Sequence, residues 1–188
     1  MRYQQIKKHD VANGPGIRVT IFVSGCSHNP KCPECFNEET WDFNCGTLFT
    51  QDTISEIITE LKKDYICGLT LLGGEPMDMV NQKGLLELVL AVRKEIPEKD
   101  IWCFTGYKFK REKGDNDPEP TVLEMYEKSD ITKQLVDNID VIVDGKFIKA
   151  LHDPRLVYKG SSNQNTILVK ETLANDNILV LWELEKYI

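Results

Sequence analysis

IRVTIFVSGC, residues Ile17 to Cys26, decides how the rest of the chain is read. Apart from Arg18, residues 17–23 are all β-branched or aromatic, the composition of a buried strand. Gly25 stops the run, and Cys26 follows at once, with Cys32 and Cys35 close behind. A strand that ends in clustered cysteines brings the chemistry to a strand terminus. Three later segments repeat the arrangement: CGLTLLGGEP (67–76), DIWCFTGY (100–107) and DVIVDG (140–145). Between them lie amphipathic stretches. In TISEIITELKK (53–63), Ile54, Ile57, Ile58 and Leu61 recur at helical spacing, with Asp52 or Thr53 as cap and Glu56 completing a capping box with Thr53. GLLELVLAVRKEI (84–96) predicts a second helix and residues 121–138 a third.

Strands alternating with helices predict an α/β domain with a parallel sheet and right-handed crossovers. Ligands in such sheets bind beyond the carboxyl ends of the strands. The cysteines, the GGEP turn, the TGY segment and the DGKF segment all follow such ends, so they should share one rim. KFKREKGDNDPEP (108–120) reads as a mobile loop, KGSSNQN (159–165) as a loop, and ILVLWEL (178–184) as a terminal strand.

At 188 residues the chain is long enough to fold as one domain around its own core. No apolar run reaches membrane length, and MRYQQIKKHD lacks the apolar core of a secretory signal, so a cytoplasmic, membrane-free protein is expected. The net charge of −7 argues against binding nucleic acid through its phosphates, which needs a basic face. The local cations of KFKREK read as a solvated loop. Six unevenly spaced cysteines in such a chain point to metal or redox chemistry rather than to a disulfide framework. Cys67 and Cys103, within strand segments, read as buried small hydrophobes, and Trp41 and Trp102 as core aromatics.

The cluster itself admits two readings. Cys26, Cys32 and Cys35 could join His28 or Cys45 in a closed tetrahedral zinc site, since Cys32-x-x-Cys35 has knuckle spacing. Against that, no second C-x-x-C exists, and His28 stands only two positions from Cys26. Alternatively, three thiolates hold three irons of a [4Fe–4S] cluster, which ordinarily takes four cysteines. The fourth iron is then open to a chelating amine and carboxylate, the methionine end of S-adenosylmethionine. Gly73-Gly74 on the neighbouring strand end suits close backbone approach.

Beyond the cysteines, several segments run in one order: NGPGIR (13–18), FVSGC (22–26), CPECFNEETW (32–41), LGGEP (72–76), KDIWCFTGY (99–107), VIVDGKF (141–147), DPRL (153–156) and GSSNQ (160–164). In these the chain resembles the radical S-adenosylmethionine proteins, and among them the activating proteins of anaerobic ribonucleoside-triphosphate reductases. Three features depart from that pattern: five residues rather than three separate Cys26 from Cys32, residues after about Gln164 match nothing in it, and residues 113–120 look inserted. The resemblance implies a single-domain, incomplete (partial) β/α barrel of about five or six strands, with residues 1–165 as the core domain and 166–188 as a C-terminal extension of it. It implies one [4Fe–4S] cluster on Cys26, Cys32 and Cys35 and S-adenosylmethionine as cosubstrate. Contacts to the latter would come from Glu34, Cys35, Phe36, Gly73, Gly74 and Glu75, with no catalytic residue beyond the cluster ligands. The implied partners are the glycyl-radical subunit of an anaerobic ribonucleoside-triphosphate reductase and reduced flavodoxin or a similar donor. Activation of another glycyl-radical enzyme, such as pyruvate formate-lyase, is the alternative, and a zinc-stabilised binding module a more distant one.

Overall fold

The computed structural model describes residues 1–183. A seven-stranded sheet in the order β3-β1-β2-β4-β5-β6-β7 forms its centre. The strands are β1 (Arg2–Asp10), β2 (Ile17–Val23), β3 (Thr47–Leu48), β4 (Ile66–Gly73), β5 (Asp100–Phe104), β6 (Val141–Asp144) and β7 (Asn165–Leu168). β2, β4, β5 and β6 are parallel neighbours, while β1, β3 and β7 join antiparallel at the two sides. The chain therefore lays down its parallel strands in one direction without reversing. Helices α1 (Gln51–Leu61), α2 (Met79–Glu95), α3 (Val122–Lys128) and α4 (Asp130–Asp137) share one core on one face of the sheet, as crossovers of one hand laid down in one direction require.

The period of two along the strands sorts side chains between the faces. Val19, Ile21, Leu69, Leu71, Ile101 and Ile142 point to the helices and are sealed from solvent together with Ile57, Leu61, Leu85, Leu88 and Leu135. Each such aliphatic side chain contributes about 1.5–3 kcal/mol on burial. The opposite face carries Trp102, Val141 and Val143, covered by Trp182 from the chain's last described segment and flanked by Phe104 and Tyr158. Arg18 also sits on that face, fully buried. It donates to Thr70 Oγ1 and to the Leu69 carbonyl, each at 2.8 Å, and pairs with Asp100 at 2.6 Å. Thr70 in turn donates to the Asn13 carbonyl at 2.8 Å, so the NGPG turn is fastened to the sheet.

Several sequence expectations are corrected. The first helix begins earlier than expected, with Thr50 at its cap and the Thr50 N–H reaching Thr53 Oγ1 at 3.3 Å, in place of a Thr53–Glu56 box. The second extends back to Met79. The single helix expected over 121–138 is two, parted at Ser129 in extended backbone, whose hydroxyl accepts from Thr132 N at 3.3 Å and so caps α4. Strand β1, strand β7 and helix α5 (Val169–Ala174) had no expected counterpart. The strand expected over 178–184 is an isolated Ile167–Leu181 bridge, and Leu184 lies outside the described residues. Cys103 is buried as expected, but Cys67 is exposed.

The break at Ser129 gives a prediction of definite sign. Ser129→Ala removes a cap and should lower stability by about 1 kcal/mol, read as a lower urea midpoint at unchanged slope. A continuous helix would instead gain from the alanine.

Candidate functional site

The four segments that follow parallel strand ends do meet. Cys26, Cys32 and Cys35, then Gly73 to Glu75, then Phe104 to Gly106, then Gly145 to Phe147 line one cavity of about 520 Å³. That volume falls within the range of small-molecule sites, roughly 300–1,000 Å³. Glu34 and Phe36 also line it, with Phe36 79% exposed at the edge and Glu34 at a φ of 55° paired to Lys149 across the opening. All the expected site residues are thus brought to one place. Asn13 and Gln164 lie on the same wall. Trp102 is a core residue, but Trp41, expected in the core, is half-buried and faces the cavity.

The glycine pair is required by backbone packing. Gly73 has a φ of +120°, and a Cβ there would stand 2.3 Å from Val23 N; one at Gly74 would stand 2.1 Å from the Gly25 carbonyl oxygen. Gly74 N donates to the Val23 carbonyl and Glu75 N to the Gly25 carbonyl, each at 2.7 Å. The turn is therefore bolted to the end of β2, just where the cysteine loop begins. Side chains at either position would force the two strand ends apart.

Glu75 is 1% exposed, and its carboxylate is fully engaged. Oε1 accepts from Thr105 Oγ1 at 2.6 Å and from Met77 N at 2.9 Å; Oε2 accepts from Gly106 N at 2.8 Å and meets His28 Nε2 at 2.7 Å. The other ring nitrogen of His28 meets Glu119 Oε2 at 2.7 Å, and Glu119 Oε1 pairs with Lys146 at 2.8 Å. Burial on its own would lower the His28 pKa, but the two carboxylates outweigh it and hold it above its ordinary value. One residue before, the Ser27 hydroxyl and N–H both donate to Asp78, which also accepts from Tyr107 Oη at 2.9 Å. The long loop between Cys26 and Cys32 is thereby held by three carboxylates. Glu119 belongs to the 113–120 stretch, so the two segments that look inserted in the sequence grip each other. Two of the KFKREK cations form surface ion pairs, Lys108 with Asp115 and Arg111 with Glu124.

Three free thiols around one chamber form a donor set that suits a cluster of several irons. The backbone amides of His28 and Phe147 lie near the Cys26 and Cys32 sulfurs and favour their thiolate forms. Burial pushes the Cys26 thiol up to about 11 and the Cys32 thiol upward as well, with those amides opposing. Among the described residues, no group of three or more His, Cys, Asp or Glu side chains converges closely enough to hold a single ion. Both ring nitrogens of His28 are committed to carboxylates, so it is not available as a zinc ligand beside Cys26, Cys32 and Cys35. Cys45 Sγ points to the Glu39 carbonyl at 3.3 Å.

Sequence reasoning did not find His28, Glu119, Asp78 or Tyr107 as members of this network. A histidine between cluster cysteines was the one available signal; its partners lie 47 and 91 positions away. The expected consequence is unequal sensitivity. Glu75→Ala, which orphans several buried donors, should cost about 3–5 kcal/mol, whereas Glu119→Gln, at a more exposed position, should cost about 1 kcal/mol or less. Urea unfolding of the cluster-free protein under reducing conditions measures both.

A family model described as "4Fe-4S single cluster domain" matches residues 12–167. Among curated proteins, the chain is 42% identical over 166 residues to the anaerobic ribonucleoside-triphosphate reductase-activating protein of Salmonella typhimurium, covering 87% of this chain and 96% of that protein. The protein of the same name from Escherichia coli K12 matches at the same identity and coverage. That of Enterobacteria phage T4 is 43% identical over 165 residues, 87% of this chain and 92% of the phage protein. No solved structure matches. With most of both chains aligned at this identity and the thiols gathered at one cavity, the chain belongs to the anaerobic ribonucleoside-triphosphate reductase-activating proteins, which carry a 4Fe-4S domain.

Proposed function

We propose that this protein is a radical S-adenosylmethionine activase that installs the glycyl radical of an anaerobic ribonucleoside-triphosphate reductase. The observation that carries the reading is the meeting of three free cysteines and the Gly73–Glu75 turn on a single cavity in a chain of this family. Cys26, Cys32 and Cys35 are the residues that would anchor the cluster. A reduced [4Fe–4S] cluster held there would supply the single electron that splitting the S–C5′ bond of S-adenosylmethionine requires, and the 5′-deoxyadenosyl fragment would accept the hydrogen atom removed from the partner's glycine.

The protein's share is placement and exclusion of water. Glu34, Cys35 and Phe36 flank the nucleoside side, and Gly73, Gly74 and Glu75 the methionine side. With its carboxylate consumed by four internal contacts, Glu75 acts by holding the turn and the cysteine loop in register. No acid–base residue is assigned. A low-potential donor, reduced flavodoxin or its like, supplies the electron, and the protein works in the cytoplasm. No helix among the described residues is long and apolar enough to cross a membrane.

We read the one-directional strand order, with helices on a single face, as an incomplete β/α barrel of the radical S-adenosylmethionine type. Residues 1–165 form its core, and residues 166–188 are an extension of the same domain. Packing of Trp182 on Trp102 and Tyr158, at centroid distances of 5.3 and 5.6 Å, supports the extension as an integral part.

Anaerobic reconstitution with iron and sulfide should give a brown protein that forms 5′-deoxyadenosine from S-adenosylmethionine and dithionite. With the reductase added, a glycyl doublet should appear by electron paramagnetic resonance. Cys32→Ala should abolish both signals; product formation by that variant would remove the ligand assignment.

A further inference from the structure

β6 and β7 are antiparallel neighbours, a pair that a turn of about two to five residues can join. Residues 145–164 intervene instead, with a short 3-10 turn at Lys149–Leu151 and a single His152–Ser161 bridge inside them. Loops beyond about 12–15 residues without structure of their own are uncommon in compact domains and are usually functional. The sheet does not need this length.

The loop is nonetheless well defined at its base, and the GSSNQ stretch is the staple. Gln164 Oε1 accepts from Gly160 N at 2.8 Å and Ser161 N at 3.1 Å, while its Nε2 donates to the Gly145 carbonyl at 2.8 Å. Asn163 Nδ2 donates to the Lys146 carbonyl at 2.9 Å, and Ile148 N donates to Ser161 Oγ at 3.1 Å. Two ends so tied present the intervening crest in one shape, which lowers the entropy lost when it is bound.

The crest has a distinct chemistry. Ile148, Leu151 and Val157 are 43%, 42% and 40% exposed. Residues 145–164 carry Lys146, Lys149, Arg155 and Lys159 against the single acid Asp153, +3 by sequence in a chain of net −7; Arg155 pairs with Asp153 at 2.8 Å, and Lys146 and Lys149 pair with Glu119 and Glu34 outside the segment. The same segment supplies His152, Leu156 and Lys159 to the cavity wall, so the crest stands beside the opening. Across the opening, Phe36 is exposed too, and Lys149 pairs with Glu34. An exposed ion pair of that kind is worth at most about 1 kcal/mol, so an incoming carboxylate can take its place at little cost.

We propose that residues 146–159 are the docking surface for the glycine-bearing reductase, which seats an acidic, partly apolar face on this crest. The inference rests on the activase reading and adds where, and by what chemistry, the protein substrate is met. Basic side chains beside the opening steer an acidic partner toward the cavity mouth. The apolar side chains supply the contact that keeps it there. A substrate seated on this crest has its glycine segment next to the cavity mouth.

The test uses reconstituted full-length protein and purified reductase. Arg155→Glu lowers the segment's net charge from +3 to +1, and Leu151→Ser removes an apolar contact. Without reductase, both should form 5′-deoxyadenosine at the wild-type rate. With reductase, Arg155→Glu should need severalfold more of it for half-maximal glycyl radical formation and should lose much of the salt dependence of that step. Leu151→Ser should weaken direct binding to the reductase severalfold. Unchanged half-saturation and binding in both variants would overturn the proposal, as would wild-type protein binding phosphatidylglycerol vesicles through this segment and not the reductase. Failure of wild-type protein to cleave S-adenosylmethionine would sink the activase reading, and the direct binding measurement would still decide the docking surface.

Discussion

One buried carboxylate organises the site. Glu75 stands between the end of β4, the TGY segment after β5 and the loop that separates Cys26 from Cys32, and it satisfies donors from each of them. Removing a charge of this kind from water is unfavourable unless every lone pair finds a donor. Here each oxygen has two. The arrangement therefore tolerates little rearrangement, since any shift of one segment leaves a buried polar atom alone. Rigidity at this point matters because cysteine sulfurs on a flexible loop could not hold a fixed spacing around an inorganic core.

The topology explains why such a hub can exist where it does. Parallel strands added in one direction put every crossover helix on the same face. The other face is left to loops, to Arg18 and to a few aromatics, so it can be both polar and hollow. A sheet wound in both directions would cover that face with helices and restrict ligands to a crevice at the reversal. Here the ligand space extends from the NGPG turn to the cysteines.

The sequence carried much of this. Strand β2 was legible from its β-branched run, the later parallel strands from their glycine stops, and the common rim from what followed each. The three cysteines, Glu34, Phe36 and the Gly73–Glu75 turn were all nominated from motifs, and the structure brings them to one cavity. What escaped has physical reasons. β1 is partly exposed on both faces and shows no clean alternation, so neither periodicity marks it. Ser129 interrupts a helical pattern through a side-chain hydrogen bond that hydrophobic spacing does not register. His28 and Glu119 are joined only through the tertiary fold, and no local rule connects residues so far apart. The glycines were credited with letting a ligand approach, whereas their immediate reason is the contact between two strand ends.

The aromatic trio of Trp102, Tyr158 and Trp182 has its own implication for the chamber. Tyr158 is part of the chamber's wall, yet its ring leans on an indole delivered by the tail of the chain. Trp182 reaches the chamber only through Tyr158, against whose ring it packs from behind. Volume available to a guest is in this way adjustable from the far terminus, by changes that leave every sulfur anchor and every glycine where it is.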